Sequence, residues 1–415
     1  MEPVDSLFRH ESGRMISVLT RVFGFHNLAL AEDVVQDAFC QALEVWKFRG
    51  PPDDPSAWLM AVAKRRAIDV LRRERTARTF GPELGRLAES EWTLVPAVEQ
   101  QFAPHAIQDD LLRMMFSCCD PRLKEEAQVA LILHILCGFS VGEVAAALVA
   151  RHAAIEKRLT RAKKLLAGSK RLFEVANARD VAERLPIVQR ALYLLFNEGY
   201  HGASAKSVVR GELCREAIRL GRLLVEVMPV RAEANALLAL MLLNDARRNA
   251  RTAPNGDAIL LEAQDRARWD KTQIAEGLER IEAALRALVR PNTYAVQAAI
   301  AALHMRAPRY EDTDWPQIAA LYEVLIRIHP SPVVELNHAV AVSMVDGPER
   351  ALRLVDSIAK RGELDAYHML PAVRADLLRR LGRRKEAIEA YQQALKSVEL
   401  EPERRFIAAR LGELS

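Results

Sequence analysis

Hydrophobic residues recur at spacings of three and four positions along most of the 415-residue chain. That spacing gathers apolar side chains on one face of an α-helix. The residues that dominate, Ala, Leu, Arg and Glu, favour helices, and no useful alternating run of β-branched residues indicates a strand. The sequence therefore predicts an all-α protein.

Breaks in this pattern separate the predicted helices into three groups. Residues 1–78 form the first group and residues 109–172 the second. Between them, residues 79–108 lose the regular spacing and contain Gly and Pro, so we interpret them as a linker. Residues 180–415 form the third group, in which the pattern changes to pairs of helices.

The third group contains two similar helix pairs. Residues 377–395 have the turn, at Gly382, and the small inward residues of a tetratricopeptide-type hairpin, and Gly347 lies in a similar segment 35 positions earlier. We therefore predict a helical repeat array of open repeat number, which offers an interaction surface rather than a catalytic pocket. The predicted inward residues of the last hairpin are Ala387, Tyr391 and Ala394. Further helix boundaries are predicted at Pro229, Pro330 and Pro402.

Residues 57–78 predict a strongly basic helix, with seven Lys or Arg, two acidic residues and Trp58 near its start. Ser56 is the predicted N-cap, because three prolines in residues 49–56 interrupt the preceding helix. An aromatic ring beside guanidinium groups suits a surface where unstacked bases meet the ring and Arg holds phosphates. The alternative is that Trp58 only covers the edge of the helix bundle while the arginines stay solvated. The predicted inward residues are Leu59, Val62, Ala63, Ala67 and Val70.

Residues 139–166 predict a helix-turn-helix. Ser140 is expected to cap a short first helix, and the second helix is expected to begin near Ala153. The outward face of a second helix in this motif reaches guanine edges and phosphates, and here it carries basic residues. The alternative is a basic amphipathic helix in a bundle without a role in DNA binding. The predicted inward residues of the second helix are Ile155, Leu159, Ala162 and Leu166.

Residues 28–48 predict an amphipathic helix with an acidic outward face. A helix of this charge beside a DNA-contacting helix is not suited to the same phosphates, so we interpret it as a docking surface for a basic protein. The predicted outward residues are Asp33, Gln36, Asp37, Gln41 and Glu44. The predicted inward residues are Val34, Val35, Ala38, Ala42 and Val45.

The net charge of the chain does not by itself indicate nucleic-acid binding, but the distribution of charge along the chain supports the predicted DNA-contacting helices. The net charge is only +4, whereas residues 151–171 contain eight Lys or Arg and one Glu. Such local basic patches attract phosphate backbones.

No apolar run approaches the length of a membrane span, and the N-terminal segment lacks the apolar core of a signal peptide. We therefore expect a cytoplasmic protein without membrane contact.

The five cysteines form no C-x-x-C pair, and their odd number and apolar surroundings are typical of reduced core thiols. The alternative is a metal site built from His134, Cys137 and the pair Cys118 and Cys119. Their spacing matches no common zinc pattern, so we expect neither a metal nor another cofactor.

The sequence also lacks the usual signatures of an enzyme: a Gly-rich phosphate loop, a nucleophile elbow and an H-E-x-x-H motif. Glu198 and His201 offer an acid and a base, but no other group converges on them.

Three polar clusters remain, "FNEGYHG" (196–202), "DRARWD" (265–270) and "EDTDW" (311–315). They either line a contact with a partner or form buried polar networks that fix helix hairpins.

Taken in order, the acidic helix, the Trp-bearing basic helix, the linker and the helix-turn-helix resemble a bacterial sigma factor of the extracytoplasmic-function type. The resemblance covers about residues 7–170 and rests on "AEDVVQDAFCQALEVW", "AWLMAVAKRRAIDVLRRE" and "FSVGEVAAALVARHAAIEKRLTRAKKLL". Two further strings, "DDLLRMMFSCCDP" and "LYLLFNEGYHGAS", are similar to the subgroup whose sigma domains carry a long tetratricopeptide-like C-terminal extension.

The resemblance implies that core RNA polymerase and promoter DNA are the partners and that the chain directs promoter-specific initiation without catalysis of its own. The implied polymerase-binding residues are Asp33, Gln36, Asp37, Gln41 and Glu44. Those implied for melting and reading the minus-10 element are Trp58, Lys64, Arg65, Arg66, Arg72 and Arg73. Those implied for the minus-35 element are His152, Lys157, Arg158, Arg161 and Lys164.

Arg65 departs from the family pattern, in which Asn is frequent, so the base read at that position is left open.

The resemblance also implies that residues 180–415 control sigma activity, through an intramolecular contact or a protein partner. A stand-alone helix-turn-helix activator with a helical sensor domain is the competing interpretation. It would explain residues 139–415 but gives the acidic helix and Trp58 no role.

Overall fold

The computed structural model describes residues 2–78, 109–168, 178–201, 211–228, 231–255, 257–398 and 401–414. The predicted linker at 79–108 and the boundary at Pro229 lie outside these residues, and the side chain of Arg73 is also outside the described part. All helices and turns described below belong to the described ranges. They contain no β-strand, so the predicted all-α class is confirmed.

The chain forms two compact units, Met1–Leu195 and Phe196–Ser415, and the boundary between them falls within one helix. The helices of the first unit are α1 (Glu2–Phe23), α2 (Leu28–Arg49), α3 (Pro55–Arg78), α4 (Asp110–Cys118), α5 (Glu125–Leu131), α6 (Val141–Ala147), α7 (His152–Ala167) and the start of α8 (Ala178–His201). A single π-helical turn, Ile132–Leu136, follows α5 directly.

The helices of the second unit follow the end of α8. They are α9 (Gly211–Val227), α10 (Ala232–Asp245), α11 (Lys271–Ala287), α12 (Thr293–Arg306), α13 (Trp315–Ile328), α14 (Pro332–Val345), α15 (Pro348–Lys360), α16 (Met369–Arg380), α17 (Arg384–Ser397) and α18 (Glu401–Gly412). No described helix is both long and apolar enough to cross a membrane.

The core of the first unit joins the two helix groups predicted on either side of the linker. Helix α1 packs against α4 and the π-helical turn as well as against α2. Gly13 makes this approach possible, because a Cβ atom there would lie 2.0 Å from the carbonyl oxygen of Leu136. A side chain cannot be accommodated against rigid backbone at that distance.

The start of α3 differs from the prediction. The helix begins at Pro55, and the carboxylate of Asp54, not the hydroxyl of Ser56, accepts a hydrogen bond from the backbone N–H of Ala57 at 2.9 Å. Pro at the first helical position needs no N–H partner, which moves the cap one residue before it. The predicted Ser56 cap is therefore wrong.

Helix pairs at the C-terminal end of the second unit occur where the sequence predicted them. Gly347 separates α14 from α15 with φ of 86°, and Gly382 separates α16 from α17 with φ of 73°. Left-handed backbone of this kind favours glycine, which explains its place at both turns. The predicted inward side chains Ala387, Tyr391 and Ala394 are buried in a common core.

Candidate nucleic-acid interface

Helix α2 presents the acidic face that its sequence predicts. Its apolar side lies in the core, where Val34, Val35, Ala38 and Ala42 are at most 1% exposed, while Val45 is half-buried. The five predicted outward residues are all exposed: Asp33, Gln36, Asp37, Gln41 and Glu44. The helix therefore offers an acidic and amide-rich surface to a partner.

Basic side chains border this acidic face on two sides. Arg66 of α3 lies 3.2 Å from a carboxylate oxygen of Asp37, with both side chains about half exposed. On the other side, the Lys163 ammonium donates to Glu32 at 2.7 Å, with side chains 30% and 21% exposed. The predicted polymerase-binding and DNA-binding residues are thus direct neighbours on the surface of the first unit.

Trp58 is anchored to the helix bundle by a second tryptophan. Its ring centroid lies 5.4 Å from that of Trp46, with an angle of 56° between the ring planes. Trp58 is half-buried, so one part of its ring packs on α2 and another remains accessible. Tilted aromatic pairs at this distance are favourable, and the contact restricts the orientation of the Trp58 ring. The contact is the one expected if Trp58 covers the bundle edge, and it leaves ring surface for a base.

Helix α3, which carries Trp58, also presents a cationic face to solvent. Its predicted inward residues Leu59, Ala63 and Ala67 are fully buried, whereas Val62 and Val70 are half-buried. The predicted basic residues with described side chains are all exposed: Lys64, Arg65, Arg66 and Arg72. Exposed guanidinium groups on the same helix as an aromatic ring suit a single nucleic-acid strand.

Helices α6 and α7 form the predicted pair around a tight turn. Ser140 caps α6 through a capping box, in which its hydroxyl accepts from the Glu143 N–H at 3.2 Å and the Glu143 carboxylate accepts from the Ser140 N–H at 2.7 Å. Val149 takes a left-handed conformation with φ of 49° in the turn, and α7 begins at His152. The cap at Ser140 is confirmed.

Helix α7 separates apolar from basic residues as predicted. Ile155, Leu159, Ala162 and Leu166 are buried, at most 4% exposed. On the opposite side, His152, Lys157, Arg161 and Lys164 are exposed and Arg158 is half-exposed. The imidazole of His152 lies 3.7 Å from the carboxylate of Glu156 one turn later. A basic face of this shape can meet phosphates and base edges in a major groove.

The metal alternative receives no support from the geometry. Burial raises the pKa of the Cys118 thiol well above its ordinary value and that of the Cys119 thiol to about 12. His134 forms a hydrogen bond through Nδ1 to the Phe139 carbonyl at 2.8 Å. Within the described ranges, no group of three or more His, Cys, Asp or Glu could hold a metal ion.

Two contacts in the first unit were not predicted from the sequence: that of Trp46 with Trp58 and that of Glu32 with Lys163. Trp46 lies twelve positions before Trp58, and Glu32 and Lys163 are 131 positions apart. The only local signal was the apolar ring of Trp46 near the edge of an otherwise acidic face. Nothing in the local pattern pairs Lys163 with a residue of α2.

Comparisons with known proteins support two parts of the chain separately. Residues 7–77, within α1 to α3, match the model of Sigma-70 region 2. Residues 184–285 match a family of unknown function, DUF6596. Over 393 residues the chain is 43% identical to an uncharacterized protein of Rhizobium meliloti (strain 1021), and the alignment covers 94% of this chain and 91% of that protein.

Proposed function

The chain belongs to the same family as this Rhizobium meliloti protein, and because it also carries a sigma-70 region 2, we propose that it is a promoter-specificity subunit of the extracytoplasmic-function type. Sigma-70 region 2 supports an RNA polymerase sigma factor and implies binding to core polymerase and use of promoter DNA. In this proposal the polymerase synthesises RNA, and the chain supplies recognition of the promoter without catalysis of its own.

Residues 1–78 act as region 2 in this proposal. The acidic face of α2 binds core polymerase through Asp33, Gln36, Asp37, Gln41 and Glu44, all of which are exposed. Bases of the melted minus-10 strand stack on Trp58 while the cations of α3 hold the backbone. The observation that carries the proposal is that the Sigma-70 region 2 match coincides with this pairing of an acidic helix and a basic helix with a fixed tryptophan.

Residues 109–172 act as region 4 in this proposal. The exposed basic face of α7 enters the major groove at the minus-35 element, with Lys157, Arg158, Arg161 and Lys164 as the main contacts and His152 at the first turn. Residues 180–415 act as a regulatory extension with a tetratricopeptide-like arrangement of helix pairs. Its helices offer an extended surface for an intramolecular contact or a protein partner.

Run-off transcription with purified core polymerase on a library of promoter fragments tests this function. We expect transcripts that depend on the chain, and we expect Trp58→Ala to reduce them about 5- to 150-fold, because stacking of one base on an aromatic ring contributes about 1–3 kcal/mol. Trp58→Phe is the matched variant and should retain most of the activity, since it keeps a ring.

Two results would contradict the proposal. The first is an absence of polymerase-dependent transcripts together with tight binding of the chain alone to duplex DNA, which would favour the activator. The second is unchanged transcription in Trp58→Ala with core-polymerase binding also unchanged. That result would show that the Trp58 ring takes no part in recognition of the promoter.

A further inference from the structure

The three polar clusters of the C-terminal half meet in the second unit. Tyr200 comes from the first cluster, Arg266 and Trp269 from the second, and Trp315 from the third. The segment after α10 adds two arginines that no sequence pattern singled out, Arg247 and Arg251. The side chains lie among the end of α8, the end of α10, the segment before α11 and the end of α12.

Tyr200 binds two of the arginines. The guanidinium carbon of Arg251 lies 3.7 Å from the centre of the Tyr200 ring, and its Nη1 donates to the Tyr200 carbonyl at 2.9 Å. Arg247 donates through Nη2 to the Tyr200 hydroxyl at 2.6 Å. Tyr200 itself is only 4% exposed, so both guanidinium groups are drawn toward the interior.

Arg266 is held from the other side. Its Nη1 donates to the carbonyl oxygens of His304 and Ala307, each at 2.7 Å, and its guanidinium carbon lies 4.5 Å from the centre of the Trp269 ring. Neutral carbonyls and an aromatic face orient a guanidinium group but do not neutralise its charge.

Among the described residues, acidic side chains act on this cluster without forming ion pairs with it: Glu311 and Asp312 act on Arg266, and Asp245 acts on Arg251. None of them places a carboxylate within 4 Å of Arg247, Arg251 or Arg266, whereas Asp245 pairs with Arg248 at 3.2 Å. Exposed Asp312 pairs with Arg309 at 2.9 Å. Charged groups withdrawn from water are normally paired in proteins, so three partly buried arginines bound mainly to neutral groups favour an anion.

Several polar atoms in the cluster are buried and have no hydrogen-bond partner among the described residues: Arg247 Nε, Arg266 Nη2, Trp269 Nε1 and His304 Nδ1. Trp269 is only 3% exposed as a whole residue. Unsatisfied buried donors are costly, and a bound acceptor removes that cost. Burial, and then the charges of Arg247 and Arg266, lower the pKa of His304 to about 4.

We propose that the arginine cluster, defined as Arg247, Arg251 and Arg266 with Trp269, is a binding site for a small ligand that carries a phosphate or carboxylate group. The forked guanidinium groups of Arg247 and Arg266 each have an unused N–H for such a group, and both anions match that geometry. The site lies within the second unit, so binding of the anion does not depend on polymerase or promoter DNA. A test of the anion site is therefore independent of the proposed sigma function.

Isothermal titration calorimetry of the full chain with inorganic phosphate, and separately with acetate, tests the site at constant ionic strength set with chloride. We expect saturable binding of one anion per chain. Arg247→Gln and Arg266→Gln should each weaken it at least about 10-fold, because each removes a charge-assisted hydrogen bond. Arg309→Gln is the matched control and should bind as the unaltered chain does, since Arg309 is 73% exposed and already paired.

Binding of phosphate alone identifies a phosphorylated ligand, and binding of acetate alone identifies a carboxylate ligand. Absence of saturable heat with both anions overturns the proposal, as does unchanged affinity in the Arg247→Gln and Arg266→Gln variants. Should these variants fail to fold, hydrogen exchange of the unaltered chain decides. The anion should slow amide exchange in residues 244–251 and 265–269, and absence of that protection overturns the site.

Discussion

At the scale of single residues, burial restricts two positions in this protein, one in the size of its side chain and the other in its charge state. Gly13 lies where α1 meets the backbone of Leu136, and His304 lies beside two guanidinium groups. Neither position is marked by the helical pattern. Each depends on an atom that is distant in sequence.

Gly13→Ala should lower the free energy of unfolding by about 1–3 kcal/mol, because its Cβ would lie 2.0 Å from a carbonyl oxygen and the helices would have to separate. Urea unfolding of the full chain measures the change. Gly142→Ala is the control, since its Cβ would meet nothing closer than 3.9 Å and a helical Ala is favourable. Equal stability of the two variants would contradict this account of the interface.

His304 should make stability depend on pH between about 4 and 6.5. Its pKa is lowered to about 4 in the folded chain by burial and by Arg247 and Arg266, so the unfolded chain binds the proton more readily. Stability then decreases as pH falls from 6.5 toward 4, by at most about 3 kcal/mol. Urea unfolding in phosphate-free buffers measures this loss. His304→Phe should reduce it, and an identical pH profile in that variant would refute the assignment.

At the scale of helices, local sequence pattern was a reliable guide to which face is buried. The inward residues predicted for α2 and α7 are buried except Val45, and the Ser140 cap is present, because each depends on neighbours within one or two turns. The start of α3 was predicted two residues too late. Ser56 and Asp54 both have N-cap chemistry, and Pro55 at the first helical position favours the earlier one.

The corrected cap predicts different effects of two nearby substitutions. Asp54→Ala should lower the free energy of unfolding by about 0.5–2 kcal/mol, because it removes the acceptor for the Ala57 N–H. Ser56→Ala, within the first turn, should change it by less than about 0.5 kcal/mol. Thermal or urea unfolding of both variants distinguishes the two caps. A larger effect of the Ser56 substitution would restore the original prediction.

At the scale of the whole molecule, the arrangement of the first unit bears on the proposed function. Glu32 of α2 and Lys163 of α7 tie the predicted polymerase-binding and minus-35 helices together. A compact unit of this length has a radius of gyration of about 16 Å. The minus-10 and minus-35 elements are about 85 Å apart along B-DNA. The packed first unit therefore cannot read both elements, so in this proposal α7 leaves α2 during initiation.

Glu32→Gln should favour that separation. It removes the partner of Lys163 and frees the ammonium for phosphate, so we expect affinity for a minus-35 duplex to rise about 2- to 5-fold in the absence of polymerase. Fluorescence anisotropy with a labelled duplex at fixed salt measures this change. Glu44→Gln is the control, because it changes the net charge equally on the same helix but removes no partner of Lys163. An equal rise in both variants would mean that charge alone, not release of α7, is responsible.

The sequence by itself determined the all-α class, the buried faces of the main helices and the position of the two basic surfaces. These follow from the helical repeat and from capping, which act between residues a few positions apart. Only the tertiary structure decided which distant side chains meet: Trp46 with Trp58, Glu32 with Lys163, and Tyr200 with Arg247 and Arg251. The helical period specifies which way a side chain faces, but its partner is set by the packing of helices that are far apart along the chain.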